Sequence, residues 1–168
     1  MSTSTNTSAP DQVDVRGPRF AAWVTTVVII ATLLASAVSP IAAALILGAQ
    51  AVVFAIGAWC GPRQHPYGLL FGRLIAPRLG PVTEKEPAPP LKFAQLVGFV
   101  FAAIGTVGFA VGHPLVGLIA TGFALVAAFL NAAFGICLGC QIYPLVARLA
   151  VWQNPHNFFK TEATERIS

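Results

Sequence analysis

Two cysteines three positions apart, in Cys137-Leu138-Gly139-Cys140, are the residues of this 168-residue chain whose types and spacing could do chemistry. At that spacing one thiolate can attack a disulfide or take up sulfur, and the second thiol can resolve the product. Gly135 and Gly139 loosen any helix around the pair, and Pro144 removes a regular hydrogen bond back to Cys140. A helix restarting near Cys137 would put that thiol at a helix N-terminus, where the dipole and free N–H groups favour thiolate. Cys137 is then the expected nucleophile and Cys140 the resolving thiol. Two cysteines opening a helix with a proline further along resemble the thioredoxin arrangement, without its βαβ pattern.

The same residues admit other chemistry. Cys60, Cys137, Cys140 and His65 have the ligand types for Zn²⁺ or Cu(I), although no metal is favoured over a redox pair. Juxtamembrane cysteines are acylation targets, and a cysteine can also serve as a small buried hydrophobe. No cofactor is called for by the sequence.

The elements that must position the pair are hydrophobic. The chain is 56% hydrophobic and 10% charged, against about 25% charged residues in soluble domains. Its mean hydropathy is +0.75. Four windows, about 20–38, 41–59, 93–111 and 115–138, are nearly free of charge. Nineteen residues at about 1.5 Å each reach roughly 28 Å, the depth of the hydrocarbon core. Strands do not run that long, and a soluble bundle would need polar helix faces. The expected fold is all-α, a polytopic membrane protein of four transmembrane helices in two hairpins.

Charge orients them. Arg16 and Arg19 lie before the first window, and Arg63, Arg73, Arg78, Lys85 and Lys92 between the second and third. Arg148, Lys160 and Arg166 follow the fourth. The Ser39-Pro40 and Gly112-His113-Pro114 connections hold no Lys or Arg. The positive-inside rule predicts cytoplasmic termini, a cytoplasmic middle loop and two tight outer turns in the cell (inner) membrane. Trp23, Trp59, Trp152, Tyr67 and Tyr143 fall near the inner boundary as an aromatic belt would. The net charge of +4 suits anionic inner-leaflet lipid, and nucleic acid is excluded as a partner. A cleaved leader is disfavoured, because the first apolar run exceeds the roughly 7–15 residues of a signal core.

Domain organisation follows. Residues 1–14 are expected to be a disordered tail, 15–153 the four-helix domain and 154–168 a cytoplasmic tail. Within the domain, the 60–92 loop carries an amphipathic stretch, Tyr67–Leu79, suited to a helix in the headgroup plane. A Pro-rich link, Glu84-Lys85-Glu86-Pro87-Ala88-Pro89-Pro90, leads to the third helix. Gly98, Gly105 and Gly112 recur every seven positions, and Gly117 with Thr121 forms a second pair of small residues. Both read as helix-packing faces. Gln50 and Asn131 are the deepest polar residues of the apolar runs, and each should turn inward to a hydrogen-bond partner. No acidic or basic residue lies inside a window, which speaks against a charge-lined channel or proton pump.

Three stretches together resemble a known group: Asp14-Val15-Arg16-Gly17-Pro18-Arg19-Phe20; Gly61-Pro62 with Pro66-Tyr67-Gly68; and Asn131-Ala132-Ala133-Phe134-Gly135 leading into Cys137-Leu138-Gly139-Cys140. The chain is similar over about residues 11–150 to small bacterial, mainly actinobacterial, membrane proteins catalogued as a domain of unknown function. Members of that group resemble one another in the paired cysteines and are often encoded beside thioredoxin-like proteins and rhodanese-type sulfurtransferases. The resemblance implies a thiol or sulfur-handling role and such soluble partners, and it brings no established activity. Cys60 and His65 are not part of its pattern.

The expected function is thiol–disulfide or persulfide relay at the cytoplasmic membrane face through Cys137 and Cys140. Two alternatives stand beside it: a non-catalytic scaffold that anchors a soluble sulfur-metabolism partner, and a thiolate metal site. The residues do not decide whether the chain is itself an enzyme. Nor do they set its oligomeric state, its substrate or its electron donor and acceptor.

Overall fold

The structure is a computed structural model of the chain, and it describes residues 12–61, 64–80 and 84–152. The expected N-terminal tail (apart from its last three residues), Arg63, and the C-terminal tail with Lys160 and Arg166 lie outside the described residues. Four long helices dominate: α1 (Arg16–Ser36), α2 (Pro40–Cys60), α4 (Ala88–Ala110) and α5 (Pro114–Phe134). Each is long and apolar enough to cross a membrane. Twenty-one residues in α2 at about 1.5 Å each give about 31 Å. The protein is an all-α polytopic membrane protein.

Local sequence sets the helix ends. Ser39 caps α2, its hydroxyl accepting the Ala42 N–H at 3.3 Å, and Pro40 supplies the first helical residue. Gly112 turns the other hairpin with φ +79°, and Pro114 opens α5. At the opposite end Gly61, with φ +91°, stops α2.

The four helices close a ring, α1 on α2, α2 on α4, α4 on α5 and α5 on α1, with the α2–α4 contact the most extensive. Its core combines Ala43, Leu47, Ala51 and Phe54 with Ala102 and Phe109. Small residues admit this approach. A Cβ on Gly105 would lie 2.6 Å from Leu47 Cδ2, and one on Gly108 would lie 2.7 Å from the Gly117 backbone nitrogen. The seven-residue stripe thus needs a correction: Gly112 belongs to the turn and meets nothing within 4 Å. Gly108 holds the close position instead, because α4 ends at Ala110 and the packing face stops with it. Thr26, Thr32, Thr106 and Thr121 turn their hydroxyls back onto helix carbonyls four residues earlier, so they pack as nearly apolar residues.

One feature at the end of the bundle away from the two hairpin turns was not legible beforehand. Three-residue strands β1 (Gln12–Asp14) and β2 (Lys85–Pro87) pair antiparallel, Val13 opposite Glu86. The clip ties the chain before α1 to the entrance of α4. Arg16 reinforces it, donating to the Asp14 carboxylate at 2.7–3.0 Å and to the Gly80 carbonyl at 3.3 Å. That guanidinium holds the Asp14 carboxyl below its usual range.

The helix expected over Tyr67–Leu79 is present in three pieces. It comprises a short α3 (Pro66–Leu70), a widened π turn over Phe71–Ile75 and a tight turn over Ala76–Arg78. Phe71 is buried against α1, its ring 5.8 Å from that of Phe20, while Leu69, Leu70 and Leu74 are exposed. The segment is pinned to the bundle by Phe71. Tyr67 also leaves the aromatic belt expected of it: half-buried, its hydroxyl donates at 2.7 Å to Gln50 Oε1. Trp23 and Trp59 do stay exposed, 49% and 65%. The side chain of Trp152 lies outside the described residues.

Candidate redox site at the start of the last helix

Gly135 ends α5 in the left-handed conformation, φ +69°. Its N–H donates to the Asn131 carbonyl at 3.1 Å, and the Ile136 N–H to that of Leu130 at 3.2 Å, so the last turn keeps its carbonyls satisfied. The chain then enters a separate helix, α6 (Leu138–Trp152). The fourth spanning helix therefore stops at Phe134, four residues short of the expected Leu138. The cysteines belong to the opening of α6 and not to the end of α5.

Cys137 stands where an N-cap residue stands. Its carbonyl accepts the Gln141 N–H at 3.1 Å, and its sulfur accepts the Cys140 N–H at 3.3 Å. Sulfur here replaces the Ser or Asp oxygen that usually meets a free N–H in the first turn. That placement favours negative charge on Cys137 in the reduced form. The two half-buried cysteines are joined as a disulfide with Cα atoms 5.2 Å apart, so the spacing brings the sulfurs together without rearranging the turn. Pro144, inside α6, has no N–H to return to the Cys140 carbonyl.

The pair is held by Gly139 between its two cysteines. Gly139 is buried on α4, where an added Cβ would lie 2.6 Å from Ala94 Cα and 2.7 Å from Ala94 Cβ. Phe93 and Tyr143, with rings 5.9 Å apart, extend the same contact. Arg19 comes up beside Gly135, its guanidinium carbon 3.8 Å from where a Cβ there would be. A cation at that point faces the carbonyl end of α5, a favourable place for it.

The metal grouping does not assemble. Cys60 is exposed at the last residue of α2, whereas His65 is 2% exposed inside the loop. Among the described residues no three His, Cys, Asp or Glu side chains come together as a metal site.

Gln50 is buried and donates to Thr25 Oγ1 at 3.4 Å while accepting from Tyr67. Asn131 is half-buried, and among the described residues no hydrogen bond joins its amide to another helix. It lines, with Cys137, a cavity of about 260 Å³ bounded by α1, α2, α4, α5 and α6. A second cavity, about 450 Å³, lies under the loop helix with His65 in its wall. Gln95 lines both. His65 and Gln95 lie side by side, Gln95 Cγ and Cδ standing 3.0 and 3.1 Å, and His65 Cδ2 2.5 Å, from where a Cβ on Gly57 would be. Burial pushes the His65 pKa down to about 4, against an upward pull from Gln95, so the imidazole is neutral. Its ring meets that of Tyr67 edge-on at 5.2 Å. Gln95 escaped the sequence reading because it lies one turn after Lys92 and reads as part of a polar helix entrance. Its place in an otherwise apolar run was the available signal.

Fold and site define a polytopic membrane protein carrying a vicinal cysteine pair at one end of a four-helix bundle. The chain belongs to the family described as Domain of unknown function (DUF4395), whose family model matches residues 13–148. No curated protein and no solved structure matches it.

Proposed function

We propose that Cys137 and Cys140 form a thiol–disulfide or persulfide relay at the cytoplasmic face of the cell membrane. The observation that supports this best is the cap geometry: Cys137 sulfur takes the first-turn N–H of Cys140 at 3.3 Å. That contact stabilises a thiolate at Cys137, the state that attacks, and leaves Cys140 to resolve. The partner is a soluble protein with an exposed reactive cysteine, of thioredoxin-like or rhodanese-like chemistry. In one turnover the Cys137 thiolate attacks the partner's disulfide, and the partner's second sulfur leaves as thiolate. Cys140 thiolate then displaces the first, so the partner gains two electrons and the pair becomes a disulfide. Cytoplasmic placement is supported by charge: Arg16, Arg19, Arg73, Arg78, Lys85, Lys92 and Arg148 all lie toward the α6 end.

Two outcomes test the reading. Cys140→Ser is expected to trap a mixed disulfide or persulfide with a soluble protein on non-reducing gels, and Cys137→Ser to trap none. If neither captures a partner and the double Ser variant fully complements a deletion strain, the cysteines are packing residues and the chain is a scaffold. Topology is checked separately, in a background with the native cysteines replaced. An impermeant thiol reagent on intact cells is expected to label His113→Cys and to spare Lys85→Cys. Labelling at position 85 would reverse the orientation.

A further inference from the structure

One side of α6 is left uncovered by the bundle. The opening turns of the helix are held, Gly139 on Ala94 and the Tyr143 ring 5.9 Å from that of Phe93. Beyond them Pro144, Leu145, Val146, Arg148 and Leu149 are all exposed. Leu138, Ile142, Leu145 and Leu149 follow one another at spacings of four, three and four, so they share one face. Their exposures run from 36% to 61%. Gln141, Pro144 and Arg148 take another face, and Cys137 stands one turn before Gln141 at its head. The helix therefore has three sides, one on α4, one apolar and one polar.

Length and charge decide what covers the apolar side. Fifteen residues at about 1.5 Å each reach about 23 Å, short of the roughly 30 Å hydrocarbon core. Arg148 also lies among them, so α6 does not cross the bilayer beside the four spanning helices. Exposed apolar side chains lead into the stripe from the lipid-facing surface of the bundle, through Phe129 and Phe134 of α5 and then Ile136. A stripe continuous with that surface, on a helix too short to span, fits the boundary between acyl chains and headgroups. Arg148 adjoins the stripe and Arg19 lies beside Gly135, so this end of the bundle brings positive charge to match anionic phospholipid.

We propose that α6 lies in the headgroup plane of an anionic leaflet, with Leu138, Ile142, Leu145 and Leu149 against the acyl chains and Arg148 among the phosphates. That seat holds Cys137 and Cys140 at headgroup depth. It also turns the side of Gln141, Pro144 and Arg148 toward water, from which a soluble partner reaches the pair. Only this last consequence rests on the relay reading above; the lipid contact itself involves no thiol chemistry.

The test uses the full chain in phosphatidylcholine vesicles with and without phosphatidylglycerol. The native cysteines are replaced by serine, which keeps a first-turn acceptor at position 137. Gln141→Cys, Leu145→Cys, Arg148→Cys and Leu149→Cys, each checked for folding by its melting profile, carry a nitroxide label one at a time. Collision with oxygen, which concentrates among acyl chains, is compared with collision with a water-soluble nickel chelate. On anionic vesicles the oxygen-to-nickel ratio is expected to be high at Leu145→Cys and Leu149→Cys and low at Gln141→Cys and Arg148→Cys. Adding Arg148→Gln is expected to move the balance of immersed to water-exposed label at Leu145→Cys about fivefold toward water, the weight of one basic residue at an anionic surface. On neutral vesicles the same change is expected to have no such effect. Low ratios at all four positions put α6 in water and overturn the proposal. Low collision with both reagents at Leu145→Cys and Leu149→Cys marks burial against protein and overturns it as well, with spin–spin broadening identifying a second copy. Immersion that is equal on both lipids and indifferent to Arg148→Gln overturns anionic phospholipid as the partner. No native thiol is present, so none of these outcomes bears on the relay, which partner capture tests by itself.

Discussion

Gly139→Val is expected to abolish partner capture while both cysteines remain in the chain. The α6 backbone lies directly on α4 at this residue, and the first added carbon would fall 2.6 Å from Ala94 Cα. A contact with backbone cannot be relieved by rotating a side chain, so α6 must lift or turn. Overpacking of this kind costs about 1–3 kcal/mol even where neighbours can shift. The cap at Cys137 depends on the first turn of α6 keeping its place after Gly135, so displacement removes the sulfur from the reach of the Cys140 N–H. Gly72→Val is the control, because a Cβ there meets nothing within 4 Å. The readouts are capture by the Cys140→Ser background and the apparent melting temperature in detergent. Undiminished capture in Gly139→Val with Cys140→Ser would show that the α6–α4 contact does not hold the site.

Acidification is expected to destabilise the bundle through His65, with the change confined to one pH window. The group has its ordinary value of 6.5 in the unfolded chain and about 4 when buried in the fold. Between those values the unfolded chain binds a proton that the folded chain does not, so stability falls as the pH drops from 6.5 toward 4. Above the window the contribution is fully present, and below it the loss levels off. A shift of this size corresponds to roughly 3 kcal/mol. The measurement is the difference in apparent melting temperature between wild type and His65→Phe, followed against pH. A difference that narrows or reverses as the pH falls through the window is expected, since the variant has no proton to take up there. A constant difference would mean that the imidazole is charged in the fold or exposed to water.

The sequence by itself determined the class of protein and the breaks at Ser39-Pro40, Gly61 and Gly112. Spanning length depends on runs of apolar residues, and turns depend on local backbone preferences. Ser39-Pro40, Gly61 and Gly112 acted as written because a cap hydroxyl or a positive φ is a property of a few neighbouring residues. The pair at Cys137 and Cys140 was legible for the same reason, as was a helix restarting beside it.

Only the tertiary structure decided what surrounds the pair. Gly108 rather than Gly112 carries the α4–α5 contact, because the register of two helices is set where their surfaces meet. Tyr67 leaves the interface for Gln50, since that amide needs an acceptor filled inside the bundle. Asn131, Gln95 and His65 come to adjoining cavities through the folding of α5, α4 and the loop helix onto one end of α1. The β1–β2 clip joins residues 12–14 to 85–87, a pairing too short to leave a periodic signal. Such associations between distant segments follow from packing, where shape and hydrogen-bond demand are met only once the helices have assembled.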